Sequence, residues 1–270
     1  MIRKDIDWRG LRATFHAAKP FPHVVIDDFF DPAVAEAMER DIPAFDDPSW
    51  WQYSNPLEEK RALNLWDRFP AASYQSFSLL CSEKFLIGLR ELTGVADLSA
   101  DEGLHGGGWH LHPPGGKLNV HLDYSIHPKL GLERRLNLIC YMTSGWNPAW
   151  GGALGFWSHD EATNSPKDLV TSVECRFNRA VIFDTTSNSW HGLPEPITCP
   201  KGLARKSIAT YYLSPPRAHA SERGKALYAP YGEQSKDPAV LELIRRRADV
   251  KTASTAYRTD ERRRTPERRK

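Results

Sequence analysis

The 270-residue chain has only four cysteines, Cys81, Cys140, Cys175 and Cys199, and no two of them form a Cys-x-x-Cys pair. A zinc ribbon needs such pairs and a disulfide-built domain needs a denser framework, so both are excluded and reduced thiols are expected. No apolar run is long enough to cross a bilayer, which points to a soluble chain. Met1 to Gly10 is polar and charged, without the apolar stretch that directs secretion, so the expected compartment is the cytoplasm. Charge of one sign is also scarce. A formal charge of +2 is too small for a domain built to bind nucleic acid. The exception is the end of the chain, where Arg245-Arg246-Arg247, Arg262-Arg263-Arg264 and Arg268-Arg269-Lys270 concentrate positive charge. That segment reads as a solvated tail, with weak contact to phosphates as the most it would add. Internal repeats are absent.

What is present suits one large globular domain: 40% hydrophobic and 26% charged residues, with no break in composition. Pro22 to Phe30 reads as a buried strand and a turn, after which Asp31-Pro32 offers a helix cap followed by proline at the first helical position, starting a helix over 33–40. Trp50, Trp51 and Tyr53 stand among breakers and read as a loop with aromatic anchors, either a lid over a substrate or packing against the core. From Ala71 to Thr93, apolar residues at helical intervals predict two helices broken near Ser82.

After Gly106 the period changes. Short β-branched and aromatic runs bounded by Gly, Pro or Asn recur at 109–112, 118–123, 135–142, 153–157, 169–175, 180–184, 189–193 and 205–213. Such strands without intervening helices predict a mainly β protein with flanking helices (α+β), its core a double-stranded β-helix, or jelly roll, whose interior commonly holds a ligand. The organisation expected is an N-terminal strand, helices and the candidate lid, packed on the core, over 1–100, a catalytic core over 101–215, and a C-terminal helix (238–247) with a basic tail over 216–270, one catalytic domain in all.

His121-Leu122-Asp123 lies at the end of one of these strands. In extended chain, residues i and i+2 point the same way, so imidazole and carboxylate can converge on one ion. A third ligand must come from elsewhere, and His191, at the start of a strand that a hairpin can return, is the best candidate. Two histidines and one carboxylate on one face of an ion leave positions open, the arrangement used by non-haem iron(II) oxygenases. Arg205 opens the next strand, where a buried guanidinium can grip the far end of a dicarboxylate. Tyr141 and Asn137 share parity on their strand and can both face the interior. His105, His110, His112, His127 and His159 scatter around turns and are read as surface or substrate-edge residues, not ligands.

These stretches, with Gly115 to Asp123, Arg134 to Met142, Trp150 to Leu154 and His191 to Arg205, resemble the 2-oxoglutarate and iron(II)-dependent oxygenase superfamily, closest to its prolyl 4-hydroxylase-like branch. The resemblance implies iron on His121, Asp123 and His191, the C5 carboxylate of 2-oxoglutarate on Arg205, and help with the co-substrate from Tyr141, whose alternative is a core tyrosine bonded to backbone; Asn137, by its parity, is expected beside the co-substrate too. His191 and Arg205 are a little further apart than is usual in the family, which keeps Lys201 open as a lesser anchor. It further implies O2 as oxidant, ascorbate as a stimulant, succinate and CO2 as products, and a prolyl, amino-acid or metabolite substrate. Asp123 favours hydroxylation, because halogenating relatives carry a small residue there. The alternative is a catalytically silent jelly roll acting as a metal-binding sensor or interaction module. Oligomeric state is not legible.

Overall fold

The computed structural model describes residues 1–186 and 188–256. The basic runs at 262–264 and 268–270 lie outside the described residues. The chain starts with α1 (Trp8–Ala17), β1 (His23–Ile26), α2 (Pro32–Asp41), the hairpin β2 (Trp51–Asn55) and β3 (Glu58–Leu63), α3 (Ala71–Leu80), α4 (Glu83–Thr93) and β4 (Ser99–Ala100). Next come β5 (Gly108–His112), β6 (Lys117–Leu118), β7 (His121–Leu122), β8 (Glu133–Tyr141), β9 (Leu154–Asp160), β10 (Ser165–Val173), β11 (Ala180–Asp184), β12 (His191–Gly192) and β13 (Arg205–Ser214). The chain closes with β14 (Leu227–Tyr228), α5 (Pro238–Ala248) and α6 (Val250–Ala256). Among the described residues no helix is long and apolar enough to cross a membrane.

Two antiparallel sheets face each other. The larger runs β1-β11-β8-β13-β5-β3-β2, with β4 beside β13 and β6 beside β3; the smaller runs β10-β9-β12-β7-β14. This is the expected jelly roll. Strand alternation explains how both faces of the large sheet are buried. On β8 the even residues Leu136, Leu138 and Cys140 join Phe77, Leu80, Phe85 and Leu89 of α3 and α4, while Asn137, Ile139 and Tyr141 turn inward. Each such apolar side chain, fully buried, contributes about 1.5–3 kcal/mol. Ser82 breaks the two helices as expected, accepting from the Phe85 amide as the N-cap of α4.

The sheet extends past the expected core. β1 and β3 come from the first hundred residues and β14 from the last segment, and each pairs with strands between them, while β2 joins the sheet through β3. Trp51 and Tyr53 belong to a strand, not to a loop: the β2–β3 hairpin adds to the edge of the large sheet through β5. Breakers around this hairpin masked its pairing. All four cysteines are free, three of them buried.

Candidate active site

Between the sheets lies a cavity of about 1010 Å³. Its inner end is set by register. His121 of β7 and His191 of β12 are direct cross-strand partners, and their rings lie 4.3 Å apart. Asp123 follows on the same side as His121, so that Nε2 of His121 is 3.9 Å from Oδ1 and Nε2 of His191 is 3.8 Å from Oδ2. The three side chains are buried, and one ligand atom from each lies within 4.8 Å of the others.

Backbone bonds fix the tautomers. Nδ1 of His121 is 2.9 Å from the Asn119 carbonyl and Nδ1 of His191 is 2.8 Å from the Ser189 carbonyl. A carbonyl only accepts, so each Nδ1 carries the proton and each Nε2 presents a lone pair. Burial pushes the His121 pKa down to about 3, helped by His191, and burial lowers that of His191 as well. Both rings are therefore neutral at pH 7. Burial by itself would raise the Asp123 pKa, but Arg134, the two histidines and Asn137 outweigh it and hold the carboxyl ionised. Two lone pairs and one carboxylate converge here, which is the donor set of a borderline transition-metal ion.

Asp123 is held from three directions. Nη1 of Arg134 lies 3.1 Å from Oδ1, Nδ2 of Asn137 donates to Oδ2 at 3.2 Å, and Nε of Arg223 donates to the backbone oxygen at 2.8 Å. Arg134 is itself clamped between the rings of Tyr124 and Tyr211, each 3.4 Å from its guanidinium carbon. On the other side, the Tyr228 ring of β14 stacks on His121 at 5.0 Å.

Arg205 is 3% exposed and lines the same cavity. Its Nε donates to the Gly152 carbonyl at 2.7 Å and Nη1 to Ser207 Oγ at 3.3 Å, and the Tyr141 ring lies 4.8 Å away. Among the described residues no carboxylate pairs with it. His112, opposite Arg205 in the sheet, is 2% exposed, and neither ring nitrogen has a partner. A buried cation beside an unsatisfied imidazole is costly unless an anion completes it, so a dicarboxylate suits this pocket.

The structure thus brings His121, Asp123, His191, Asn137 and Arg205 to one cavity. Tyr141 stands behind Arg205, its hydroxyl donated to the Val173 carbonyl at 3.2 Å rather than turned to the cavity. Lys201 is exposed and outside the lining. His112 and His127 are buried, and His105, His110 and His112 line the cavity, so these are not surface histidines. Arg247 is not part of a solvated run either. It is 5% exposed and paired with Glu58. Ser207, Arg134 and Tyr228 were not singled out from sequence. The spacing Arg-x-Ser on one strand face carries a signal for the first; nothing local marks the others.

A jelly roll thus holds two neutral histidines and a carboxylate at its centre, a candidate non-haem metal site, with a buried arginine on the same cavity that has no carboxylate partner among the described residues. Residues 107–213, which include all four of those side chains, match the family model of the 2OG-Fe(II) oxygenase superfamily. Similar solved structures include a prolyl-4-hydroxylase from Pseudomonas putida (16% identity, 76% of this chain and 98% of that chain, TM-score 0.53). Another is a prolyl hydroxylase from Trichoplax adhaerens in complex with a hypoxia inducible factor peptide (11% identity, 76% and 89%, TM-score 0.54). No curated protein matches the sequence. The 107–213 segment is therefore similar to the 2OG-Fe(II) oxygenase superfamily, and the chain shares the fold of the prolyl hydroxylase structures.

Proposed function

We propose that this chain is a dioxygenase that hydroxylates a prolyl residue, an amino acid or another small metabolite, with iron(II) on His121, Asp123 and His191 and 2-oxoglutarate anchored by Arg205. The observation that carries this reading is the buried Arg205, which has no carboxylate partner among the described residues and opens on the cavity that holds the three ligand atoms. Iron and 2-oxoglutarate, when bound, supply oxygen activation coupled to decarboxylation, with succinate and CO2 as by-products.

The side chains supply the rest. His121 and His191 offer Nε2 because the Asn119 and Ser189 carbonyls hold the opposite nitrogens, which also keeps the rings from turning. Asn137 and Arg134 fix the plane of the Asp123 carboxylate. Arg205 and Ser207 receive the far carboxylate of the co-substrate, with Tyr141 packed against the guanidinium and holding it in place. Walls such as Ile139, Leu154 and Leu193 exclude water from the oxidising centre.

The test is succinate formation from 2-oxoglutarate by the purified protein with iron(II) and ascorbate, compared with His191→Ala. Uncoupled turnover that the variant loses supports the reading, and any prolyl peptide or metabolite that stimulates it identifies the substrate. No turnover despite bound iron would overturn it in favour of a metal-binding sensor.

A further inference from the structure

The two ligand histidines are steadied in unequal ways. Each has its Nδ1 on a carbonyl two residues back, and each packs against an aromatic ring from another strand. For His191 that ring is Phe183 of β11, at 4.8 Å and fully buried inside the large sheet. For His121 it is Tyr228 of β14, at 5.0 Å and 18° from parallel. The small sheet ends in β12-β7-β14, so His191, His121 and Tyr228 form one row of cross-strand partners with Tyr228 outermost. A single carbonyl tether still lets an imidazole swing about that hydrogen bond, and a ring lying flat against it stops the swing. Yet β14 is only two residues long and forms the edge of its sheet, a weak support for such a ring.

Tyr228 is held from outside the sheet instead. α5 lies against β14, and its Val240 packs with Tyr228 and Leu57. Arg247, near the end of the same helix, sets its guanidinium carbon 4.4 Å from the centre of the Tyr228 ring and donates from Nη2 to the hydroxyl at 3.4 Å. The hydroxyl in turn donates to Glu58 Oε2 at 3.1 Å. Glu58 is 1% exposed, with Arg247 Nη1 2.6 Å from Oε1 and Lys60 Nζ 3.2 Å from Oε2. Burial alone would raise the Glu58 pKa, but Lys60 and Arg247 bring it down to about 2, so the tyrosine donates to a full carboxylate. Ring and hydroxyl are both clamped by groups from α5 and β3, while the same ring covers His121.

We propose that Arg247, with Glu58, is a positioning residue for the metal centre: the pair holds Tyr228, and Tyr228 holds the His121 imidazole. The C-terminal helix thereby becomes part of the support of a ligand on the opposite side of the tyrosine. This rests on the ligand assignment in the oxygenase reading above.

The experiment titrates the metal-free full-length protein with cobalt(II), whose visible absorption reports its coordination, in the wild type, Tyr228→Leu, Arg247→Met and the double variant. Each single variant should weaken cobalt by about ten-fold and shift its absorption bands. The double variant should lose no more than Tyr228→Leu alone, because Arg247 acts through the tyrosine. If Arg247→Met does not fold, Arg247→Lys, which keeps a cation beside Glu58 but lacks the flat guanidinium, takes its place in the cycle with the same pattern expected. Wild-type affinity and bands in Tyr228→Leu, which leaves the Glu58 ion pairs in place, or in the Arg247 variant would overturn the proposal. So would a loss from the Arg247 variant that adds in full to that of Tyr228→Leu, the mark of a general weakening of the fold. Failure of the wild type to bind cobalt would remove the ligand assignment itself, and this proposal with it.

Discussion

Replacing Arg205 by glutamine separates what the guanidinium does for the fold from what it does for the co-substrate. The side chain is a buried cation that donates to the Gly152 carbonyl and the Ser207 hydroxyl and has no carboxylate partner among the described residues. Removing that charge relieves a desolvation cost and forfeits two hydrogen bonds, so the unliganded stability should change by no more than about 1 kcal/mol. Binding is a different matter. A two-pronged, charge-assisted contact to the far carboxylate is worth about 3 kcal/mol, and its loss weakens 2-oxoglutarate by roughly a hundred-fold. At a ligand concentration a hundred times the wild-type Kd, ligand stabilises the wild type by about 2.7 kcal/mol and the variant by only about 0.4 kcal/mol. Thermal unfolding of the nickel-loaded proteins with and without 2-oxoglutarate reads this directly. A ligand-induced rise in Tm as large in Arg205→Gln as in the wild type would refute the assignment of the anchor.

His121→Ala and Asp123→Ala should each lose bound iron with near-native circular dichroism, and full iron content by elemental analysis in both would contradict the ligand assignment. Gly152→Ala should cost about 1–2 kcal/mol and weaken 2-oxoglutarate, because Gly152 has φ +82° and a Cβ there would sit 2.9 Å from Arg205 Cδ; unchanged affinity would show that the anchor tolerates displacement. Glu58 makes a pH prediction. Its pKa is about 2 folded against 4.5 unperturbed, so the unfolded chain binds more protons in between and the contribution, on the order of 3 kcal/mol, is complete above pH 4.5 and lost as pH falls towards 2. Glu58→Gln should flatten that acid limb in denaturant titrations, and an unchanged slope would refute the pairing.

How much of this was legible in the sequence depends on the range of the signal. The His121 and Asp123 pair needed only the two-residue period of a strand, and His191 and Arg205 needed only the order of strands, so all four came within reach. Arg134 did not, because parity misleads there. The register between β13 and β8 slips between Tyr212 and Leu213, leaving Arg135 without a partner of its own. That slip turns the even-numbered Arg134 towards Asp123, although Leu136 and Leu138 face the helices. Arg247 was hidden by its neighbours. It shares the face of α5 that carries Val240, Leu243 and Ile244, at helical spacing, but in a run of three arginines charge outweighed position. Tyr228 lies on a two-residue strand too short to show a period, and only tertiary pairing with β7 brings it over His121.

The two ligand imidazoles are tethered to carbonyls two residues back on their own chain, at Asn119 and Ser189, not to groups that must arrive with the ion. Ring orientation is therefore set by the chain itself, and loading calls for little rebuilding. A frame that does not reshape itself around its guest has little means of choosing among guests of similar size. Affinity for such a donor set climbs from manganese through iron and cobalt to nickel and copper, so preference alone would not select iron. Occupancy becomes a matter of supply, and protein purified from different growth media should carry different metals at the same three side chains.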